Sequence, residues 1–191
     1  MLQDQIAHSL REHNKVLEET FLMQAKELAG FAETVVDAFN QGGRLLIVGS
    51  GSLGAVADLA ANQFQHRLSM ERPPLPALSL CQNIALATSL AREGKESQYF
   101  PRQLRISANK GDIVLVFWEL DRNEALVETL AEANRLECVT AVVLQGKSEL
   151  TGETPDFVFR LAAESLPRAV EATVFFSHLL CELVEKALFG V

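Results

Sequence analysis

The chain has 191 residues, with 25 acidic and 17 basic side chains for a formal net charge of -8. That length suits one domain, or one domain with a helical appendage. It buries roughly 70% of its unfolded surface, so neither a disulfide nor a metal is needed to hold it together. The acidic balance excludes a general nucleic-acid or membrane-surface binder. Residues 65–72, with Arg102 and Arg105, are the candidates for a local basic patch, a solvated face being the plainer reading.

Residues 3–40 carry apolar side chains at helical spacing (Ile6, Leu10, Leu17, Phe21, Leu22, Leu28, Phe31, Val35, Val36, Phe39), with Gly30 expected to break them into two helices. So much apolar surface ahead of the first strand points to packing on the sheet or to pairing with another subunit. Residues 1–43 are therefore expected to form an oligomerisation region and 44–191 the main domain. Strand and helix patterns then alternate. A strand at Arg44–Val48 enters a turn at 49–52 and a helix to about residue 70. A proline-rich linker at 72–76 leads to a strand at Ala77–Leu80, and 83–107 is helical with a break near Gly94. Strand Ile113–Trp118, a helix over 122–136, strands at 138–144 and 156–161 and a helix from Leu166 to Phe189 complete the order. Short apolar strands separated by helices make βαβ units, hence an α/β fold with a doubly wound parallel sheet covered on both faces. Cys81, Cys138 and Cys181 lie in or beside apolar runs with no Cys-x-x-Cys pair, as reduced core residues do. The N-terminus is charged and amphipathic from Gln3, unlike a signal peptide, and no segment approaches the ~18 apolar residues of a membrane span. The expected location is the cytoplasm.

Ligands of open parallel sheets bind beyond the carboxyl ends of the strands, which directs attention to 49–54, 81–84, 119–124, 145–149 and the start of the last helix. Gly49-Ser50-Gly51-Ser52 is the most informative of these. Its glycines allow close backbone approach, its serines offer hydroxyls, and the helix that follows aims free N–H groups at an anion. No Gly-Lys-Ser follows, and no acid ends the second strand to hold a ribose, so a nucleotide is disfavoured.

The stretch 46–52, the linker 72–80 and the tail His178-Leu-Leu-Cys181-Glu-Leu-Val-Glu185 together resemble the SIS (sugar isomerase) domain family, in its branch of phosphoheptose isomerases and DnaA initiator-associating proteins. The resemblance implies a five-stranded, flavodoxin-like sheet behind two N-terminal helices. It also implies a phosphosugar ligand and a homotetramer with sites at subunit interfaces; a dimer is the other arrangement of the N-terminal helices, and no cofactor, direct nucleic-acid or membrane partner is expected. It makes Gly49, Ser50, Gly51, Ser52, Gln63 and Asn123 the candidate substrate-binding residues and His178 the candidate catalytic one.

Several family positions are changed. Aldose–ketose isomerisation needs a base at carbon. The family's glutamate for that role falls at Gln63, whose amide is essentially non-basic. Asp58 lies five residues earlier, about 140° around the helix, and so faces away from Gln63. The family's metal-binding histidine falls at Leu59, which disfavours zinc, and its glutamine falls at Val170. The serine-rich phosphate loop is replaced by Glu119-Leu120-Asp121-Arg122-Asn123-Glu124. Two like charges ~5 Å apart repel by about 3 kcal/mol at an effective dielectric of ~20, or about a hundredfold in affinity. Those acids also suit a bare helix N-terminus. The departures point to a non-catalytic or altered SIS protein acting as a phosphosugar sensor or assembly partner. An active isomerase on sedoheptulose 7-phosphate or another phosphosugar, using His178, is the alternative.

Overall fold

The computed structural model describes residues 1–118 and 123–190. Its elements run α1 (Leu2–Phe21), α2 (Ala25–Asn40), β1 (Leu45–Gly49), α3 (Gly51–Gln65), β2 (Ala77–Ser79), α4 (Ile84–Arg92), a 3₁₀ turn (Glu96–Gln98), α5 (Tyr99–Ser107), β3 (Ile113–Trp118), α6 (Glu124–Arg135), β4 (Val139–Gln145), β5 (Phe157–Leu161) and α7 (Leu166–Phe189). The strands form one five-stranded parallel sheet in the order β2-β1-β3-β4-β5. This is the doubly wound architecture the strand pattern and the family resemblance imply.

Both faces of the sheet are covered, which is why β1 and β3 are apolar at every position and buried throughout. Alternate side chains point to opposite faces. Leu45, Ile47, Ile113, Leu115 and Phe117 meet α1, α2, α3 and α7, whereas Leu46, Val48, Val114, Val116 and Trp118 meet α5 and α6. The N-terminal helices share the first of these cores. Phe31 of α2 packs on Phe157 and Phe159 of β5 with ring centroids 5.0 and 5.5 Å apart, and Phe159 continues the contact to Phe176 of α7. The amino-terminal half of α1 is not covered in this way. Leu2, Ile6 and Leu10 are 84, 70 and 59% exposed and lie on one stripe of the helix.

Two sequence boundaries move, each for a tertiary reason. The break in the N-terminal helices falls at residues 22–24, and Gly30 lies inside α2. Gln24 decides this, because its side chain bonds the backbone of edge strand β5 at both ends. It donates to the Arg160 carbonyl (2.8 Å) and accepts from the Arg160 N–H (2.9 Å), while Thr20 accepts from Ala162 N–H. Helix α3 ends at Gln65 rather than near residue 70. The chain beyond it is drawn onto α7. Glu185 accepts the Leu68 N–H (3.1 Å), and Arg72 donates back to the carbonyls of Gln63 and Phe64, each at 2.8 Å. Carbonyls left open at the helix end are thereby satisfied by a side chain eight and nine residues later. None of the described helices is long and apolar enough to cross a membrane.

Candidate functional site

The strand order reverses at β1, so the loops that leave β1 and β3 diverge and open a crevice at the carboxyl edge of the sheet. Gly49 pairs with Phe117 there, setting the two strand ends side by side. The turn out of β1 is tight enough to require glycine twice. A Cβ on Gly49 would stand 2.6 Å from the Leu53 carbonyl oxygen, and Gly51 has φ +52°.

Ser50 begins α3 in an extended conformation, its carbonyl accepting from the N–H groups of Leu53 (3.0 Å) and Gly54 (3.2 Å). The amides of Gly51 and Ser52 are then the donors that no helical carbonyl reaches. The Ser50 hydroxyl makes no capping bond and instead accepts from Asn123 Nδ2 at 3.0 Å. Asn123 simultaneously caps α6, its Oδ1 accepting from Ala125 and Leu126 N–H. One side chain therefore ties the amino termini of α3 and α6 together across the crevice. Two positive helix ends converging on one point favour an anion.

Behind this point lies a cleft of about 630 Å³. Gly49, Ser50, Gly51, Gly54, Ala55 and Asp58 form one wall. Cys81 and the α4 residues Ile84, Ala87, Thr88 and Ala91 form the other, and Glu96, Tyr99, Phe100, Asn123 and Ala125 complete it. An apolar lining with a few placed polar groups is what small-molecule sites present. Its polar wall is a connected chain. The Ser79 hydroxyl donates to Asp58, Cys81 N–H donates to Ser79 Oγ, and the Cys81 thiol donates to the Gly49 carbonyl at 3.3 Å. Tyr99 Oη accepts from Asn83 N–H. Burial is the main cause that pushes both the Cys81 thiol and the Tyr99 phenol up, with the Asp58 charge adding to each, so both stay neutral near pH 7. The charged side chains among the described lining residues, Asp58 and Glu96, are both acidic.

The sequence candidates fall into two groups. Gly49, Ser50, Gly51 and Asn123 line the cleft, and Ser52 lies exposed in the first turn of α3. Gln63 and His178 lie outside that lining. Gln63 is 5% exposed with a buried Oε1 that has no partner, and His178 is half-buried on α7, which packs along α3. Val170 is half-buried on α7 and Leu59 is an exposed aliphatic side chain on α3. Leu59 supplies no donor to a metal, and no three His, Cys, Asp or Glu side chains among the described residues come together to hold one. The segment Glu119–Arg122, which carries most of the acidic replacement of the phosphate loop, lies outside the described residues.

Thr88 and Tyr99 carry no mark in the sequence reading, Cys81 figures there as a core residue, and Asp58 as an acid turned away from Gln63. A signal for Asp58 existed. Residues 51, 54, 55 and 58 share one helical face, so Asp58 follows Gly51, whereas Gln63 stands about 120° away from Gly51 around the helix. Measuring from the glycine turn rather than from Gln63 identifies the acid in the cleft.

The three cysteines are free, and their environments predict an order of reactivity. Burial, and then the Asp112 charge, pushes the Cys138 thiol up to about 11. Burial, and then Glu185, pushes Cys181 up to about 12. The thiolate is the reactive form, so native protein at pH 8 is expected to label slowly and at Cys81 first. A ligand filling the cleft slows this further. Mass-spectrometric mapping after timed alkylation checks the order, and early modification of Cys138 or Cys181 contradicts it.

The family model for the SIS domain matches residues 8–144. The phosphoheptose isomerase of Geotalea uraniireducens is 30% identical over 187 residues, covering 98% of this chain and 99% of the relative. That of Thermodesulfovibrio yellowstonii is 28% identical over 190 residues, covering 100% of this chain and 94% of the relative. The solved structure of a phosphoheptose isomerase from Francisella tularensis superposes with a TM-score of 0.89 at 25% identity, over 97% of this chain and 99% of that one.

Proposed function

The chain belongs to the SIS domain family, and from that premise we propose that it binds a phosphosugar in the cleft beyond β1, β2 and β3 without isomerising sedoheptulose 7-phosphate, serving as a sensor or an assembly partner. The phosphate is received by the amides of Gly51 and Ser52, with the Ser50 hydroxyl and the Asn123 amide beside them. The carbon chain lies along Ile84 and Ala87, where it excludes water, and Asp58 accepts from sugar hydroxyls.

The observation that carries this reading is Gln63. It occupies the position at which the resemblance places the carbon base, and its side chain is buried outside the cleft lining. An amide cannot hold the proton that isomerisation moves between C1 and C2. The uncovered Leu2, Ile6 and Leu10 stripe supports homo-oligomerisation through the N-terminal helices, as a dimer or tetramer.

A second reading is favoured by Asp58, a carboxylate inside the cleft. In it the protein is an active aldose–ketose isomerase of another phosphosugar, with Asp58 as the base and His178 of a neighbouring copy as the second group. A coupled assay of sedoheptulose 7-phosphate and other ketose and aldose phosphates separates the two. The first reading expects no product from any of them. Turnover that vanishes in both Asp58→Asn and His178→Ala, with binding retained, replaces it by the second.

A further inference from the structure

At the far side of the sheet, the carboxyl ends of β4 and β5 frame a separate pocket of about 390 Å³, lined by Gln145, Gly146, Lys147, Ala162, Ala163 and Glu164. It shares no residue with the cleft beyond β1, β2 and β3. Gln145 ends β4 opposite Leu161 of β5 and is only 3% exposed. Neither its Oε1 nor its Nε2 has a partner. Buried carboxamides are almost always bonded, because an unmatched donor or acceptor retains the cost of losing water. Gln145 lines the pocket with both amide ends unmatched, so a turn of its side chain gives a donor and an acceptor to something that enters.

The frame around Gln145 is fixed. Gly146 N–H donates to the Leu161 carbonyl at 2.7 Å, and Ser148 N–H donates to the Gln145 carbonyl at 2.9 Å. The Arg160 guanidinium donates to the carbonyls of Gly146 (3.2 Å) and Ser148 (2.9 Å), pinning the turn from outside. A side chain at Gly146 would bring its Cβ to 3.1 Å from the Leu161 oxygen, so the small residue keeps this corner open.

The chemistry of the lining selects the ligand. A carboxamide offers an acceptor and a donor side by side, the complement of two neighbouring hydroxyls. A nucleobase presents a similar pair but needs a stacking surface, and no aromatic side chain is among the described lining residues. Among the described lining residues the charged side chains, Lys147 and Glu164, are of opposite sign, so the lining itself favours neither an anion nor a cation. We propose that this pocket is a second ligand site, taking a neutral polyol such as an unphosphorylated sugar through vicinal hydroxyls on the Gln145 carboxamide. The proposal is independent of how the first cleft is used.

Saturation-transfer NMR of the full chain with ribose, glucose and unphosphorylated sedoheptulose tests it. Saturable transfer to at least one sugar is expected, abolished in Gln145→Leu and unchanged in Asn123→Ala. In Gln145→Glu, which keeps the volume but replaces the N–H donors with an acceptor, affinity should fall about tenfold or more. That variant decides the matter by itself if Gln145→Leu does not fold. Absence of transfer to all three sugars, transfer undiminished by both Gln145 changes, or loss in Asn123→Ala in place of them overturns the proposal.

Discussion

Replacing Arg72 by methionine is expected to destabilise the protein by about 3–5 kcal/mol, read as a lower denaturant midpoint at unchanged slope. Arg72 and Glu185 form an ion pair at 2.7 Å with side chains 1 and 3% exposed. The guanidinium also donates to the carbonyls of Gln63, Phe64 and Pro73. Removing it leaves Glu185 charged and buried with the Leu68 N–H, the Ser69 hydroxyl and the long contact of the Cys181 thiol as its polar partners among the described residues, and it uncovers the end of α3. Removing both charges together in Arg72→Met with Glu185→Leu should recover most of the loss, because the uncompensated charge goes with them. A single-variant loss below about 1 kcal/mol would mean that the pair behaves as a solvated surface bridge instead.

Gly49→Ala is the second large effect, and it falls on function as well as stability. The new Cβ meets the Leu53 carbonyl oxygen and carbon at 2.6 and 2.7 Å, and backbone cannot yield as a flexible side chain does. Overpacking of this kind costs about 1–3 kcal/mol or more. The relief available is a shift of the first turn of α3, which misaims the Gly51 and Ser52 amides. Phosphosugar affinity should drop by about tenfold or more in the variant, while Gly30→Ala serves as its control. A Cβ at Gly30 meets nothing within 4 Å, and that change should stabilise α2 by about 0.5–1 kcal/mol. Unaltered affinity in folded Gly49→Ala would remove the turn from the site.

The fold was legible because its strands are short apolar runs bounded by turn residues. Strand β3 and helix α7 begin and end where the pattern places them, at Ile113–Trp118 and Leu166–Phe189. What the pattern cannot carry is a side chain that redirects the backbone from a distance. Gln24 binds a strand more than a hundred residues away, and Arg72 turns back onto a helix whose pattern runs on to about residue 70. Periodicity also left Gly30 as the natural break, yet a glycine inside a helix lowers stability without ending it.

The site was half legible for a related reason. Glycines that permit close approach announce themselves by composition, so Gly49 and Gly51 could be read directly. Asn123 could be placed as a candidate, but its bond to Ser50 joins residues from loops after different strands and has no local signature. Asp58 and Gln63 do face different ways, but it is Asp58 that lines the cleft while Gln63 is buried apart from it, which only the angle measured from the glycine turn reveals. Gln145 falls in the segment 145–149 that the strand pattern marks, but nothing in one dimension sets it apart from its neighbours. It becomes conspicuous only once both of its amide atoms are seen to lack partners.

Titration calorimetry with sedoheptulose 7-phosphate and with unphosphorylated sedoheptulose, on the native chain and on Asn123→Ala, tests the central claim most directly. The account predicts saturable binding of the phosphosugar with no heat of turnover, weakened in Asn123→Ala as the clasp on Ser50 is lost, and no comparable dependence of the unphosphorylated sugar on Asn123. Phosphosugar binding that is indifferent to Asn123, or heat of continuing conversion to product, would contradict it.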